Sequence, residues 1–365
     1  MSYLSEELKK RELPEILKMN DGTEVTRENY GKRREELLHI LSEESYGITP
    51  SAPEKVRYCV THENSARTFG GKAIYRKLNI SFDTPKGEFS FPVEQYIPKC
   101  AEKKPAFIHI NFRDNVFYPP VEEIIDNGFG LVTYCYHDVC KDSLFGKFES
   151  GLFTMYHEDG APRRNDEWGK IGVWAYSCSR VLDYLILTDE VMTDRVAVVG
   201  HSRLGKTALW AAAQDERFFM ACSNDSGFGG AAIHKKGSGE RVSDFIKCGS
   251  WDWYCEKFKS YLGKEDENTV YDQHMLLSLI VPRHICVGSA TCDKGADPMS
   301  EFLNCFAQNG SYALFGLRGL VTPDEYPSAG ADLSDGMISY HLREGQHSFC
   351  RSDWQSYMNY FNKVL

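Results

Sequence analysis

The sequence predicts an α/β protein, with a mostly parallel central sheet, helices on both of its faces and an antiparallel hairpin leading into it. Three observations predict this. After Pro105, short continuous apolar runs alternate with amphipathic helical stretches, the pattern of parallel strands buried on both faces. Between Lys55 and Pro98 the chain is β-rich and is punctuated by the turn Asp83-Thr-Pro-Lys-Gly87. At Val196-Ala-Val-Val-Gly-His-Ser-Arg-Leu-Gly-Lys206 a buried strand passes through a tight turn directly into a strong helix former.

The elements follow in order. Residues 1–50 read as a peripheral helical segment, with Leu37, Leu38, Ile40 and Leu41 set among charges in a helix over Glu28 to Ser42. Residues 55–98 supply three β-rich runs, Arg57 to Thr61, Lys72 to Phe82 and Phe89 to Ile97, the last two forming the hairpin. Residues 105–365 form the core. Its strands are expected at Ala106–Asn111, Gly130–Tyr134, Arg195–Val199, Met220–Ser223, His284–Ser289 and Tyr312–Phe315. Its helices are expected at Pro119–Asn127, Lys170–Leu187, Arg203–Gln214 and Pro298–Asn309, with a closing helix over Asp353–Leu365. No internal repeat, low-complexity tract or long Pro/Gly/Ser linker divides the chain, so all 365 residues are expected to form one domain.

The composition excludes several function classes. Apolar residues make up 42% and charged residues 26%, as in an ordinary globular protein. A formal charge of -10 argues against a nucleic-acid partner, which needs a basic face. No apolar run is long enough to span a membrane. The first ten residues lack the apolar core of a secretory signal. Of the twelve cysteines, Cys135, Cys178, Cys222, Cys286 and Cys305 lie inside apolar or helical stretches, as buried thiols do, and no C-x-x-C pair suggests a metal. Reduced thiols without a signal give a cytoplasmic expectation. Neither a metal nor a cofactor is expected.

The strand–turn–helix at 196–213 carries the chemistry. A serine in such a turn is held in a strained conformation with its Oγ above the sheet, and the next backbone N–H lies at a helix N-terminus suited to an oxyanion. The pattern is Gly200-x-Ser202-x-x-Gly205, with Leu204 where the usual pentapeptide has its second glycine. Together with the hairpin and the alternation, this is the order of the α/β-hydrolase fold, in which Ser, acid and His follow one another along the chain. His341 and His347 both come late enough to be the base. His347 is preferred because it follows Gly345 and precedes the closing helix, whereas His341 lies in an apolar-flanked segment that suits a structural histidine. His201 should point away from the Ser202 Oγ. Asp293, after the strand ending at Ser289, and Asp225, in Asn224-Asp-Ser-Gly227, both stand where an orienting acid would stand. Asp297 reads as the N-cap of the helix starting at Pro298. Lys206, four residues after Ser202, returns to the serine's side of the helix.

The stretch Gly200-His-Ser-Arg-Leu-Gly-Lys-Thr-Ala-Leu-Trp210 resembles the nucleophile motif of the glucuronoyl esterases, carbohydrate esterase family 15. The likeness extends to Trp168-Gly-x-Ile-x-x-Trp174, Ser179 to Tyr184, Gln214 to Phe218, Asp225-Ser-Gly-x-Gly-Gly-Ala231, Ala296-Asp-Pro298, Tyr340-His-x-Arg, Gly345-x-His347 and Asp353-Trp354. Gly31 to Glu35 and Tyr46-Gly fit as well, so that most of residues 27–362 are covered. The resemblance implies Ser202 as nucleophile, His347 as base and Arg203 as an oxyanion contributor through side chain and backbone. It implies Lys206 on sugar hydroxyls, with Glu240 and Trp253 at substrate-side positions. It places the acid at either Asp225 or Asp293, with more weight on Asp293. The chain departs from the family where a Trp usually packs on the uronate ring, since Gly295 stands there.

The expected activity is therefore metal-independent hydrolysis of a carbohydrate ester, most closely an ester of a uronic acid carboxyl with an alcohol. The expected partner is a small carbohydrate ester or oligosaccharide. An acetyl-sugar esterase using the same triad is the second reading, and a silent carbohydrate-binding homologue the third.

Overall fold

The computed structural model describes residues 2–112, 119–143, 148, 150–261, 263, 264 and 266–365. Ten strands form one sheet: β1 (Val56–Asn64), β2 (Ala73–Thr84), β3 (Gly87–Pro98), β4 (Ala106–Asn111), β5 (Gly130–Cys135), β6 (Val196–His201), β7 (Met220–Asn224), β8 (His284–Ala290), β9 (Ala331–Leu333) and β10 (Ile338–Arg343). Their order across the sheet is β1-β2-β3-β5-β4-β6-β7-β8-β10-β9. The first three strands and the β3–β5 contact are antiparallel, β5 through β10 pair in parallel, and β9 closes the far edge antiparallel. This is the α/β-hydrolase architecture. The hairpin turns at Pro85 and Lys86, with Thr84 paired to Gly87, whose φ of 114° a side chain would resist.

Among the described residues the α-helices are α1 (Tyr3–Lys9), α2 (Tyr30–Leu41), α3 (Val121–Asp126), α4 (Lys170–Thr188), α5 (Arg203–Gln214), α6 (Val242–Lys247), α7 (Gln273–Ser278), α8 (Pro298–Ala307), α9 (Asn309–Ala313) and α10 (Arg351–Val364). The continuous apolar strands divide by alternation. Val196 and Val198 pack into the core that holds Trp174 of α4 and Trp210 of α5, while Ala197 and Val199 pack into the opposite core with Ile124 of α3 and Trp354 of α10. Leu4, Leu37, Leu41 and Tyr46 of the first 50 residues are fully buried in the larger core. Tyr46 stacks on Trp210 at 4.3 Å and donates its hydroxyl to the Gly229 carbonyl.

One expected strand is corrected. Tyr312–Phe315 is not a strand: it begins inside α9, and the Tyr312 hydroxyl donates to the Arg283 carbonyl at 2.6 Å. A four-residue apolar run has too little length for periodicity to separate helix from strand. The strand in that place is β10, which pairs with β8 in register from Ile338 opposite Ile285 to Arg343 opposite Ala290. All twelve cysteines are free thiols; Cys178, Cys222, Cys286 and Cys305 are buried as expected, and Cys135 is half-buried.

Candidate active site

The C-terminal ends of β6, β7, β8 and β10 lie side by side, and each carries one of the residues singled out above. In open sheets of this kind ligands bind at that edge. Ser202 joins β6 to α5 with φ 58° and ψ -127°, a conformation few non-glycine residues adopt. The sequence permits it through two glycines. A Cβ at Gly200 would land on the Leu204 carbonyl, and one at Gly205 would press on Ser223 and Ser226 at 3.0 Å. The Ser202 amide donates to the Asn224 carbonyl at 2.8 Å and so pins the turn to the end of β7. Its carbonyl accepts the Gly205 and Lys206 amides, leaving the Arg203 amide in the first turn without an intrahelical acceptor.

A cavity of about 150 Å³ opens at this turn, of the order that holds one six-membered ring. Ser202, Lys206, Asp225, Ser226, Glu240, Asp293, Gly295, Ala296 and His347 line it. The His347 Nδ1 meets Asp293 Oδ2 at 2.6 Å, which leaves Nε2 for a partner in the cavity. Burial opposes charge on Asp293, but the hydrogen bond from His347, the imidazolium charge and the Ala296 amide outweigh it and hold the carboxyl below its usual range. The ring of His201 lies 4.5 Å from that of His347, with its own Nδ1 on Asn224 at 2.7 Å. Burial, then the charge of His347, pushes His201 down to about 3, so it backs the imidazole as a neutral ring. His341 is buried against Asp353 at 2.8 Å, the structural role expected of it.

Asp225 comes close without taking the same bond. One carboxylate oxygen each of Asp225 and Asp293 and a ring nitrogen of His347 lie within 4.8 Å of one another. The Asp225 Oδ2, however, accepts from Arg343 at 2.7 Å and from the Ser348 amide at 3.3 Å. Burial and the neighbouring Glu301 push the Asp225 carboxyl well up, against Arg343. Beneath it, fully buried Glu301 accepts the amides of Ser226 and Gly227, both at 2.9 Å, and the Ser289 hydroxyl at 2.5 Å. Burial raises this carboxyl to about 7.

Lys206 is buried and donates to the Ser226 carbonyl at 2.6 Å and to Glu240 at 3.4 Å; burial lowers its ammonium. Arg203 and Trp253 are not among the residues lining this cavity. The Arg203 guanidinium pairs with Asp142 and lies 4.5 Å above the Trp253 ring, whose Nε1 also donates to Asp142 at 2.8 Å. Lys170 and Asp252, both fully buried, pair at 2.5 Å next to this group. Asp297 caps α8 through the Ser300 amide, as expected. Sequence reasoning missed Asp142, Arg343 and Glu301. Arg343 lies four residues before His347, and Glu301 lies one turn into α8, where a carboxylate directly before the buried pair Phe302-Leu303 is the available signal; Asp142 sits in a stretch with no pattern.

The sheet, with a strained turn and a paired imidazole and carboxylate at the C-terminal ends of its strands, is that of an α/β-hydrolase. Residues 80–316 match the family described as "Glucuronyl esterase, fungi". A protein named "Carbohydrate esterase MZ0003", from an unknown prokaryotic organism, is 32% identical over 98% of this chain and 91% of its own length. A solved glucuronoyl esterase from Solibacter usitatus is 30% identical, with a TM-score of 0.86 over 96% of this chain and 97% of that one. One from Teredinibacter turnerae is 26% identical, with a TM-score of 0.89 over 98% and 90%. The chain belongs to the glucuronoyl esterase family and is a carboxylic ester hydrolase.

Proposed function

We propose that the protein hydrolyses esters between a uronic acid carboxyl and an alcohol, using Ser202, His347 and Asp293 as a triad. The observation that carries this is Ser202, held at φ 58° on the rim of a cavity that also holds the 2.6 Å His347–Asp293 pair. Ser202 Oγ attacks the ester carbonyl as His347 Nε2 takes its proton; the proton then goes to the departing alcohol. The Arg203 amide at the start of α5 meets the oxyanion, and the guanidinium, anchored by Asp142, adds positive charge nearby. Water activated by the same imidazole releases the uronic acid. Asp293 holds the ring and stabilises its cation.

The cavity lining supports a sugar acid. Lys206 and Glu240 present a donor and an acceptor suited to ring hydroxyls. A relative from Phanerochaete chrysosporium, 24% identical, is named a 4-O-methyl-glucuronoyl methylesterase; this chain spans 64% of its length. The test compares kcat/KM on methyl glucuronate with that on acetylated sugars of similar size. A preference for methyl glucuronate is expected. A higher value on the acetylated sugars would replace this reading with the acetyl-esterase one, which one observation favours. Gly295 lines the cavity without a side chain, so no ring stacks on a bound sugar from that position. The free thiols, among them exposed Cys59, Cys100, Cys248 and Cys292, support a cytoplasmic location. Active enzyme recovered outside the producing cells would refute that location.

A further inference from the structure

We propose that Arg343 is the positioning residue of this site, fixing the loop that carries His347 and holding Asp225 away from the imidazole. The proposal rests on the triad reading above. Arg343 ends β10, and its guanidinium donates to the carbonyls of Gln346, at 2.9 Å, and Ser348, the two residues that flank His347. The same nitrogen donates to Asp225 Oδ2 at 2.7 Å, and Nε donates to Asp353 Oδ2 at 3.1 Å. Asp353 is itself rigid: His341 Nε2 at 2.8 Å and the Cys350 amide at 2.7 Å hold it at the start of α10. The arginine thus ties the histidine loop to α10 on one side and to the end of β7 on the other.

Two carboxylates within reach of one imidazole pose a choice. Asp225 stands at φ 44°, fully buried, with Oδ1 lacking a hydrogen-bond partner. The charges of Glu301, Asp293 and Asp353 all disfavour a second anion there, and Arg343 opposes them. By engaging Oδ2, Arg343 holds the Asp225 carboxyl in place and leaves the His347 Nδ1 to Asp293.

The test measures kcat and KM on an aryl ester for Arg343→Gln and Arg343→Lys, each alone and with Asp293→Asn. A loosened histidine loop misplaces the base, so Arg343→Gln is expected to lower kcat by about ten- to hundredfold with KM within about threefold. Arg343→Lys, which keeps a cation and several donors, is expected to recover most of that loss. In the Asp293→Asn background, Arg343→Gln is expected to cost no more than about threefold, because the base is already misoriented and Asp225 is released towards it. An equal fold-loss in both backgrounds, or a rise in KM at unchanged kcat, would overturn the role. If Arg343→Gln does not fold, Arg343→Lys carries the same comparison, its loss expected to be larger alone than in the Asp293→Asn background. A fully active Ser202→Ala variant would overturn the triad itself; loss of activity in Ser202→Ala together with multiplicative Arg343 effects would remove the Arg343 role alone.

Discussion

Glu301→Gln removes a charge from the floor of the cavity, and its effect on stability has a definite sign. Glu301 is fully buried in α8 and receives two backbone amides and the Ser289 hydroxyl, yet burial still lifts its carboxyl from 4.5 to about 7. Between those values the folded protein holds a proton that the unfolded chain has released. Stability is then full at low pH, falls as pH rises from 4.5 towards 7, and levels off above. The interval from 4.5 to about 7, at ~1.4 kcal/mol per unit of pH, amounts to about 3 kcal/mol. Glutamine keeps a carbonyl for the two amides and has no proton to lose. Urea unfolding of both proteins at pH 5 and pH 8 is the assay. The variant's stability relative to the wild type is expected to improve by about 2.5 kcal/mol between the two pH values. Relief of Asp225, which feels the Glu301 charge, adds to the gain with the same sign. Parallel pH profiles would mean that Glu301 is as ionised in the fold as outside it, and would rule out the raised carboxyl.

Three further outcomes follow from the same geometry. Asp293→Asn is expected to reduce kcat by about 10³–10⁴-fold, since the wrong ring tautomer is then favoured, while Asp225→Asn costs less than about tenfold; steady-state kinetics on one ester decide between them. Lys206→Met is expected to raise KM for sugar esters about tenfold, through lost hydrogen bonds in the cavity, and to change KM for a small aryl ester less than about threefold. Gly200→Ala drives a methyl group into the Leu204 carbonyl, so it is expected to lower stability by about 1–3 kcal/mol and to lower kcat together with it, as read by urea unfolding and ester hydrolysis.

The sequence showed the parallel half of the fold because those strands are continuous apolar runs with glycine at their turns: Ala106–Asn111 and Arg203–Gln214 fall where they were expected. It lost β10, where His341 and Arg343 interrupt the apolar pattern. Both polar side chains are accommodated by partners distant in sequence, Asp353 and Asp225, which local patterning does not reveal. The same limit applies to the site. Ser202 and His347 announce themselves by turn chemistry and order along the chain. The different partners of Asp225 and Asp293 did not, because Arg343 reaches Asp225 from another strand. Trp253 is joined to Arg203 through Asp142, a contact that local patterning does not reveal either.

Whether Ser202 is an activated nucleophile is tested directly by a fluorophosphonate probe followed by peptide mass spectrometry. Stoichiometric phosphonylation of Ser202 is expected, abolished in Ser202→Ala along with ester hydrolysis and slowed in Asp293→Asn. An unlabelled Ser202 in an enzyme that still hydrolyses esters would contradict it.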